Sequence, residues 1–232
     1  SQNTYAARSR RQGHMEYALV VTWLVAYGLL AALGLPVAAR LLAPLPGRGA
    51  GFAVPVSLLL VGTGAYWVGQ VAYGLPALVA GLALLVVVAA AVGLDRSALR
   101  DGRVVPAVDV DRRAVAEAGV VFVVGFLFVV ALRALDPAVY AIGGEKFLDF
   151  GLLQSLERAD SLPPEDVWFA GDPVRYYYGG HLLSHLLSML TGTAPRYAYN
   201  LALAGFYAML VAAAYDLGAA LSAARGVARR PG

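Results

Sequence analysis

The chain of 232 residues is 59% hydrophobic and only 14% charged, whereas soluble domains have about 45–50% apolar and 25% charged residues. So few charges exclude a soluble enzyme, a secreted disulfide domain and a disordered tail, and the absence of cysteine excludes thiolate metal sites and cysteine nucleophiles. A formal charge of +3 gives no reason to expect nucleic-acid binding. We therefore predict an all-α, polytopic protein of the cell membrane, in contact with the lipid bilayer.

Apolar segments long enough to cross a bilayer recur along the chain. The uncharged run 49–94 alone could contain two spans, since one span needs roughly 20 apolar residues. Each must be a continuous helix, because lipid offers no partner to an unpaired backbone N–H or C=O. A transmembrane bundle of about six spans is predicted, at residues 17–39, 52–73, 75–94, 114–135, 177–190 (the weakest) and 197–221.

Four parts follow from this pattern. Residues 1–14 are a polar extension, a misassigned start or a cloning scar; residues 15–135 form a four-span membrane region; residues 136–176 form an acidic interfacial loop; and residues 177–232 hold the last spans and a basic tail. The loop contains eight of the 15 acidic residues, and its aromatic and leucine content favours order. Because the tail ends abruptly after an apolar span, we expect an N-terminal fragment of a longer protein. The distribution of basic residues weakly favours an external loop.

An amphipathic helix is predicted within this loop, from Glu145 to about Arg158. A helix of this kind lies along the membrane surface with its apolar side in lipid. Glu145 and Asp149 are four residues apart and share one face. Two carboxylates at that spacing can share a metal or a proton, or one can act as a general base. The alternative interpretation is a solvated charged edge with Lys146 as the partner of the carboxylates.

A second motif follows, with three consecutive tyrosines at 176–178 and two histidines. Adjacent tyrosines cannot all face one way on a helix or strand, so at least one must point to water, a ligand or another element. His181 and His185 lie four apart on one helical face, a spacing compatible with a divalent metal. No HExxH motif accompanies them, and the competing interpretation is an interfacial aromatic belt followed by a helix whose histidines hydrogen-bond neighbouring helices. Trp168 and Phe169 are typical of an interfacial anchor.

These segments resemble a known family. GGEKFLDF from Gly143, PPEDVWFAGDPVRYYYGGHLLSHLL from Pro163 and AYNLALA from Ala198 are similar to the YYY domain family of polytopic membrane proteins from archaea and Chloroflexi, named after its triple tyrosine. The resemblance is close over residues 142–203. Members of that family are typically longer and have no firmly established activity, so the resemblance implies the fold rather than a reaction.

The layout of the loop is also similar to that of the C-type superfamily of membrane glycosyltransferases. That resemblance implies transfer of a sugar from a polyprenyl-phosphate carrier to an acceptor at the outer membrane face. Glu145 would match the catalytic base, with Asp149 as the alternative, and a divalent metal is the one cofactor that the chemistry suggests. The residues then expected to bind the phosphate or the sugar are Lys146, Arg175, Tyr176, Tyr177, Tyr178, His181 and His185.

Two further hypotheses come from other functional classes. One is a non-catalytic membrane subunit that binds a partner or lipid through the acidic loop. The other, a transporter, is disfavoured because charges that could mark an ion path are scarce: Glu117, Arg133 and Asp216 all lie near the ends of their spans. The oligomeric state is not predicted by any pattern in the sequence.

Overall fold

The computed structural model describes residues 2–95, 106–136 and 145–226, with side chains from Tyr17 onward. These ranges contain a short 3-10 helix, Ala50–Phe52, and no β-strand, so the predicted all-α fold is confirmed. The α-helices are α1 (Gln2–Leu41), α2 (Ala53–Gly69), α3 (Leu75–Gly93), α4 (Arg112–Leu135), α5 (Lys146–Arg158), α6 (Gly179–Thr191) and α7 (Pro195–Ala224).

Five helical segments in the described ranges are long and apolar enough to cross a membrane: Tyr17–Leu41 of α1, Ala50–Gly69, α3, α4 and α7. They correspond to five of the six predicted spans and confirm a polytopic bundle. The predicted span 177–190 is wrong, because α6 has only 13 residues. At 1.5 Å per residue it is about 20 Å long, whereas the hydrocarbon core of a bilayer is about 30 Å thick.

The short α6 lies at one end of the bundle together with α5. Tyr73, in the turn between α2 and α3, donates its backbone N–H to the carbonyl of Asp160 just after α5 (2.8 Å). Trp23 near the start of the first span donates its indole N–H to Thr193 just after α6 (2.9 Å). We call this the α5–α6 end. At the opposite end, Gly51 packs against Ala212, in the second half of α7.

Small residues bring the first three helices into close contact. Ser57 of α2 donates a hydrogen bond to the carbonyl of Leu30 on α1 (2.6 Å), and a Cβ at Gly34 would overlap the Ala53 carbonyl. Gly64 of α2 likewise faces Gly81 of α3 with no room for a side chain. Such contacts stabilise helix pairs in lipid, where apolar side chains gain little from leaving their surroundings.

An aromatic cluster around Tyr27 joins α1 to α4. The Tyr27 ring meets Phe122 and Phe126 of α4 edge to face, with centroids 5.2 and 5.9 Å apart. Trp23 packs on the same ring at 6.0 Å. The tyrosine hydroxyl lies directly against Gly205 of α7, so three spans meet at this ring.

The outer surface of the spans is apolar, as a bilayer requires. Val21, Val25 and Leu29 of α1 are each more than half exposed and, four residues apart, form one stripe along the helix. Similar exposed valines, leucines and aromatic residues occur on α2, α3, α4 and α7. A surface of this kind is stable in lipid and would aggregate in water.

The predicted amphipathic helix is confirmed as α5, but its apolar side does not enter lipid as expected. Leu152, Leu153 and Leu156 are fully buried in the protein. An amphipathic pattern shows that one side of a helix is shielded from water, and here the shield is the bundle itself. Phe147, at the start of α5, is about half exposed at 52%.

The contact between Tyr27 and Gly205 yields a first prediction. A methyl group at Gly205 overlaps the Tyr27 hydroxyl, so Gly205→Ala is expected to destabilise the fold by about 1–3 kcal/mol, a typical cost of overpacking. The matched control is Gly218→Ala on the same helix, where nothing lies within 4 Å of the new methyl group. Thermal unfolding of the purified protein measures both. Equal midpoints for the two variants would contradict the packing described.

Candidate functional site

Two acid–histidine pairs join α5 to α6. His181 Nε2 lies 3.5 Å from Asp149 Oδ1, and His185 Nε2 lies 2.7 Å from Glu157 Oε2. Both histidines come from the same face of α6, as their spacing predicted. The pairs and the buried leucines of α5 together hold this non-spanning layer against the bundle.

His185 forms a chain of hydrogen bonds with Glu157 and Tyr73. Its side chain is only 3% exposed, and its Nδ1 lies 2.8 Å from the Tyr73 hydroxyl. A carboxylate only accepts, so Nε2–H donates to Glu157, which leaves Nδ1 to accept from Tyr73. The interpretation that the histidines hydrogen-bond neighbouring segments is thereby confirmed for His185. One imidazole connects α5, α6 and the α2–α3 turn.

Burial determines the charge state of both histidines. It lowers the pKa of His185 below its ordinary value of 6.5, and the hydrogen bond and charge of Glu157 oppose that shift only in part. Burial also lowers the pKa of His181, against the opposing charge of Asp149. For Tyr73, burial, followed by the charge of Glu157, raises the pKa. Neutral imidazoles therefore face both carboxylates at pH 7.

Asp149 occupies the junction of α5, α6 and α7. It is half-buried between His181 and Tyr199, the latter from the first turns of α7. Phe150 packs edge-on against the Tyr199 ring, with centroids 6.1 Å apart. Next to Tyr199, Asn200 accepts a hydrogen bond from Arg133 Nε at the end of α4 (2.7 Å). A carboxylate, an imidazole, a phenol and a guanidinium thus gather in one small region.

Glu145 lies one turn before Asp149 and contacts the tyrosines instead. The Tyr176 hydroxyl donates to Glu145 Oε2 (3.3 Å) and lies 2.7 Å from the Tyr177 hydroxyl, and the two rings stack at 4.0 Å. The bond with Tyr177 is the largest cause of the raised pKa of Tyr176. Tyr178 packs against the hydrophobic core rather than beside the stacked pair. The prediction that the three tyrosines cannot face one way is confirmed.

The two predicted cations do not join these pairs. The ion pairs of the described ranges include Arg113–Glu117 and the two acid–histidine pairs, and neither half-buried Lys146 nor exposed Arg175 forms an ion pair there. The alternative interpretation of Lys146 as the partner of the Asp149 carboxylate is therefore wrong. Instead, Asp149 pairs with His181.

The metal interpretation of the histidines gains no support from the geometry. Within the described residues no group of three histidine, aspartate or glutamate side chains could hold a metal ion. Although His181 and His185 share a helical face, each turns to its own acid on α5. A metal would need at least one further ligand here.

Sequence reasoning missed four members of this region. They are Tyr73, Arg133, Glu157 and Tyr199, of which the sequence identified Tyr73 only as the end of a span and Arg133 only as a charge near the end of another. Tyr73 and His185 are 112 residues apart in sequence. No local pattern predicts such a contact, and covariation between homologous sequences is the signal that could have found it.

A family model described as "Uncharacterized membrane protein (DUF2298)" matches residues 60–232. The chain belongs to this family. The matched region includes α3 to α7, and therefore every member of the two acid–histidine pairs. No curated protein and no solved structure matches this DUF2298 member. Membership and the five candidate spans establish an integral membrane protein, and the family description assigns no reaction.

The buried histidines predict how the stability of this DUF2298 member depends on pH. The pKa of His185 is lower in the folded chain than in the unfolded one. The folded chain is therefore most stable, as far as His185 is concerned, above pH 6.5, and it loses stability as the pH falls below that value because the unfolded chain then binds the proton more readily. His185→Gln should cost about 1–3 kcal/mol at pH 7, because Tyr73 and Glu157 lose a partner, and should flatten the decline between pH 7 and pH 5. Unfolding midpoints across that range measure both effects. An equally steep decline in the variant would contradict this account.

Proposed function

We propose that this protein is a glycosyltransferase-like membrane enzyme that transfers a sugar from a polyprenyl-phosphate carrier to an acceptor at the outer membrane face. The observation that carries the proposal is the setting of Asp149, held between His181 and Tyr199 and one turn from Glu145. The resemblance of the loop layout to that of the C-type glycosyltransferases supports the same reaction class, whereas the resemblance of residues 142–203 to the YYY domain family concerns the fold.

The acceptor hydroxyl must lose its proton as its oxygen attacks the anomeric carbon. A positioned carboxylate performs this task as a general base. Asp149 suits the role because neutral His181 can present an N–H to one carboxylate oxygen and so fix the orientation of the other. Glu145, which Tyr176 orients in the same way, is the second candidate for the base.

The bond between the anomeric carbon and the phosphate oxygen breaks in the same step, and negative charge develops on the departing phosphate. Fixed positive charge or hydrogen-bond donors stabilise that charge. Arg133, Lys146 and Arg175 are basic residues at the α5–α6 end that could supply it. Because burial keeps both histidines neutral, their role is hydrogen bonding rather than charge.

Five spans change how the basic residues divide between the two ends of the bundle. With α6 not crossing, the end of α7 lies at the end opposite to α5 and α6, together with the connections from α1 to α2 and from α3 to α4. The described basic residues there are Arg40, Arg48, Arg112, Arg113 and Arg225, and those at the α5–α6 end are Arg133, Lys146, Arg158, Arg175 and Arg196. The two described sets are equal in number, so the positive-inside rule favours neither side, and labelling of single cysteines has to decide the orientation.

A second candidate function, from a different class, is a non-catalytic subunit that binds lipid or a partner through this loop. It is favoured by exposed aromatic residues at the loop tip, where Trp168 is 61% and Phe169 67% exposed. Asp166 accepts backbone N–H groups from both (2.8 and 3.2 Å), which keeps the tip in one conformation. An ordered, aromatic surface of this kind can bind without catalysing a reaction.

Amide variants distinguish the two candidates. Asp149→Asn removes the base while keeping the side-chain shape, and sugar transfer is expected to fall by about 10²–10⁴-fold. Transfer is measured with purified protein, a radiolabelled polyprenyl-phosphate hexose and membrane extract as the source of acceptor. Asp172→Asn, at an exposed position of the same loop, is the control with full activity. If Asp149→Asn and Glu145→Gln both keep full activity, the catalytic roles are wrong; if no transfer occurs in the native protein, the binding candidate is favoured.

The location of the loop provides an independent test. Because the chain has no cysteine, a single Cys at exposed Ser161 or at exposed Ala107 reports one side of the membrane each. A membrane-impermeant thiol reagent applied to intact cells should label Ser161→Cys and leave Ala107→Cys unlabelled until the cells are opened. The reverse pattern would place the carboxylates in the cytosol and refute transfer at the outer face.

A further inference from the structure

A cleft lies on the side of α5 that faces away from the bundle core. Its volume is about 520 Å³, within the range of small-molecule sites. The loop 165–170 forms the opposite wall. The side chains that determine its chemistry are Phe147, Phe150, Gln154, Arg158, Glu165 and Trp168, with Asp166 beside them.

The loop wall is held in place by its own hydrogen bonds. Glu165 accepts the backbone N–H of Gly171 (2.6 Å), and Asp166 accepts that of Trp168 (2.8 Å). The Ser155 hydroxyl on α5 donates to the Glu165 carbonyl, which ties the loop to the helix. The cleft is therefore formed before any ligand arrives, which lowers the entropic cost of binding.

The lining narrows the class of ligand. Two carboxylates, Glu165 and Asp166, disfavour an anion, whereas Arg158 disfavours a cation. A neutral molecule with many hydroxyl groups fits, because each hydroxyl can donate to a carboxylate oxygen and accept from Arg158. The amide of Gln154 can both donate a hydrogen bond to such a molecule and accept one from it. The rings of Phe147, Phe150 and Trp168 supply apolar surface for the C–H faces of such a molecule.

We propose that this cleft binds a neutral sugar, the carbohydrate part of the acceptor. The lining of the cleft by itself supports sugar binding, whereas the role of that sugar as part of the acceptor rests on the proposed function. Phe150 lines the cleft and packs on Tyr199, which lies beside Asp149, so the cleft adjoins the site of the base. The two sites lie on different sides of α5. The sugar held in the cleft is therefore a non-reacting part of the acceptor that positions its reacting hydroxyl.

Binding is tested on the full chain in lipid nanodiscs free of sugar-based detergent. The probes are maltotriose and mannotriose, with trigalacturonate as the anionic and chitosan trimer as the cationic comparison, each titrated by calorimetry. At least one neutral trimer should saturate the protein more tightly than both charged trimers. Trp168→Ala and Gln154→Ala should each weaken its binding about tenfold, the effect of losing one good contact.

Matched variants control for changes in surface and fold. Trp67→Ala and Gln70→Ala replace an exposed tryptophan and glutamine of α2 and its C-terminal turn, and Phe169→Ala alters the loop tip outside the cleft. All three should bind the trimer as the native chain does. The inference is overturned if neither neutral trimer saturates the protein, if a charged trimer binds more tightly, or if the cleft variants bind normally.

The Asp149→Asn variant separates this inference from the proposed function. It should bind the neutral trimer normally, because Asp149 does not line the cleft. In a transfer assay the cleft variants should raise KM for the acceptor with kcat unchanged, whereas Asp149→Asn lowers kcat. If the chain binds the trimer but has no transferase activity, the proposed glycosyltransferase function is contradicted and the sugar-binding cleft is supported.

Discussion

The organisation of the α5–α6 end depends on one imidazole. His185 bonds Glu157 on one side and Tyr73 on the other, and so ties a surface helix and an interhelical turn to a short helix that does not cross the bilayer. A neutral ring fits this position because a buried imidazolium would need a negative charge that compensates it fully, and the partly exposed carboxylate of Glu157 supplies only part of that compensation. The tautomer of this ring determines the direction of both hydrogen bonds, so that Tyr73 donates to Nδ1 and Nε2–H donates to Glu157. Together with the buried leucines of α5, His185 aligns α5 with α6 so that Asp149 lies beside His181.

The short α6 has consequences for the whole architecture. A helix of about 20 Å beside a full-length α7 leaves space at the membrane surface, and α5 with its loop fills that space. The polar groups of this layer satisfy one another rather than lipid, which is the condition for non-helical backbone near a bilayer. The described ranges then hold five candidate spans, and the polar layer lies at one end of the bundle, opposite the connections from α1 to α2 and from α3 to α4.

Hydropathy was sufficient for the spans, because five apolar runs of 19 or more residues have no other stable arrangement in a bilayer. It failed for 177–190, where the apolar pattern is that of a helix packed on protein. The extent of α5 was predictable from its periodicity, yet the surface that covers Leu152 and Leu156 was not, because lipid and protein impose the same pattern. For the site, spacing placed Glu145 and Asp149 on one face. Their partners come from distant segments, which local patterns cannot reveal.

Lys146 is the single lysine among the 18 Lys and Arg residues and stands between Glu145 and Asp149 in the sequence. The other side-chain cations are guanidiniums, which stay charged and react poorly with acylating groups at neutral pH. Acetylation can therefore erase positive side-chain charge at one position only, and that position is in the candidate site. Lys146 is therefore the one side chain of this sequence at which acylation would remove a positive charge and so change the electrostatic field around the two neighbouring carboxylates.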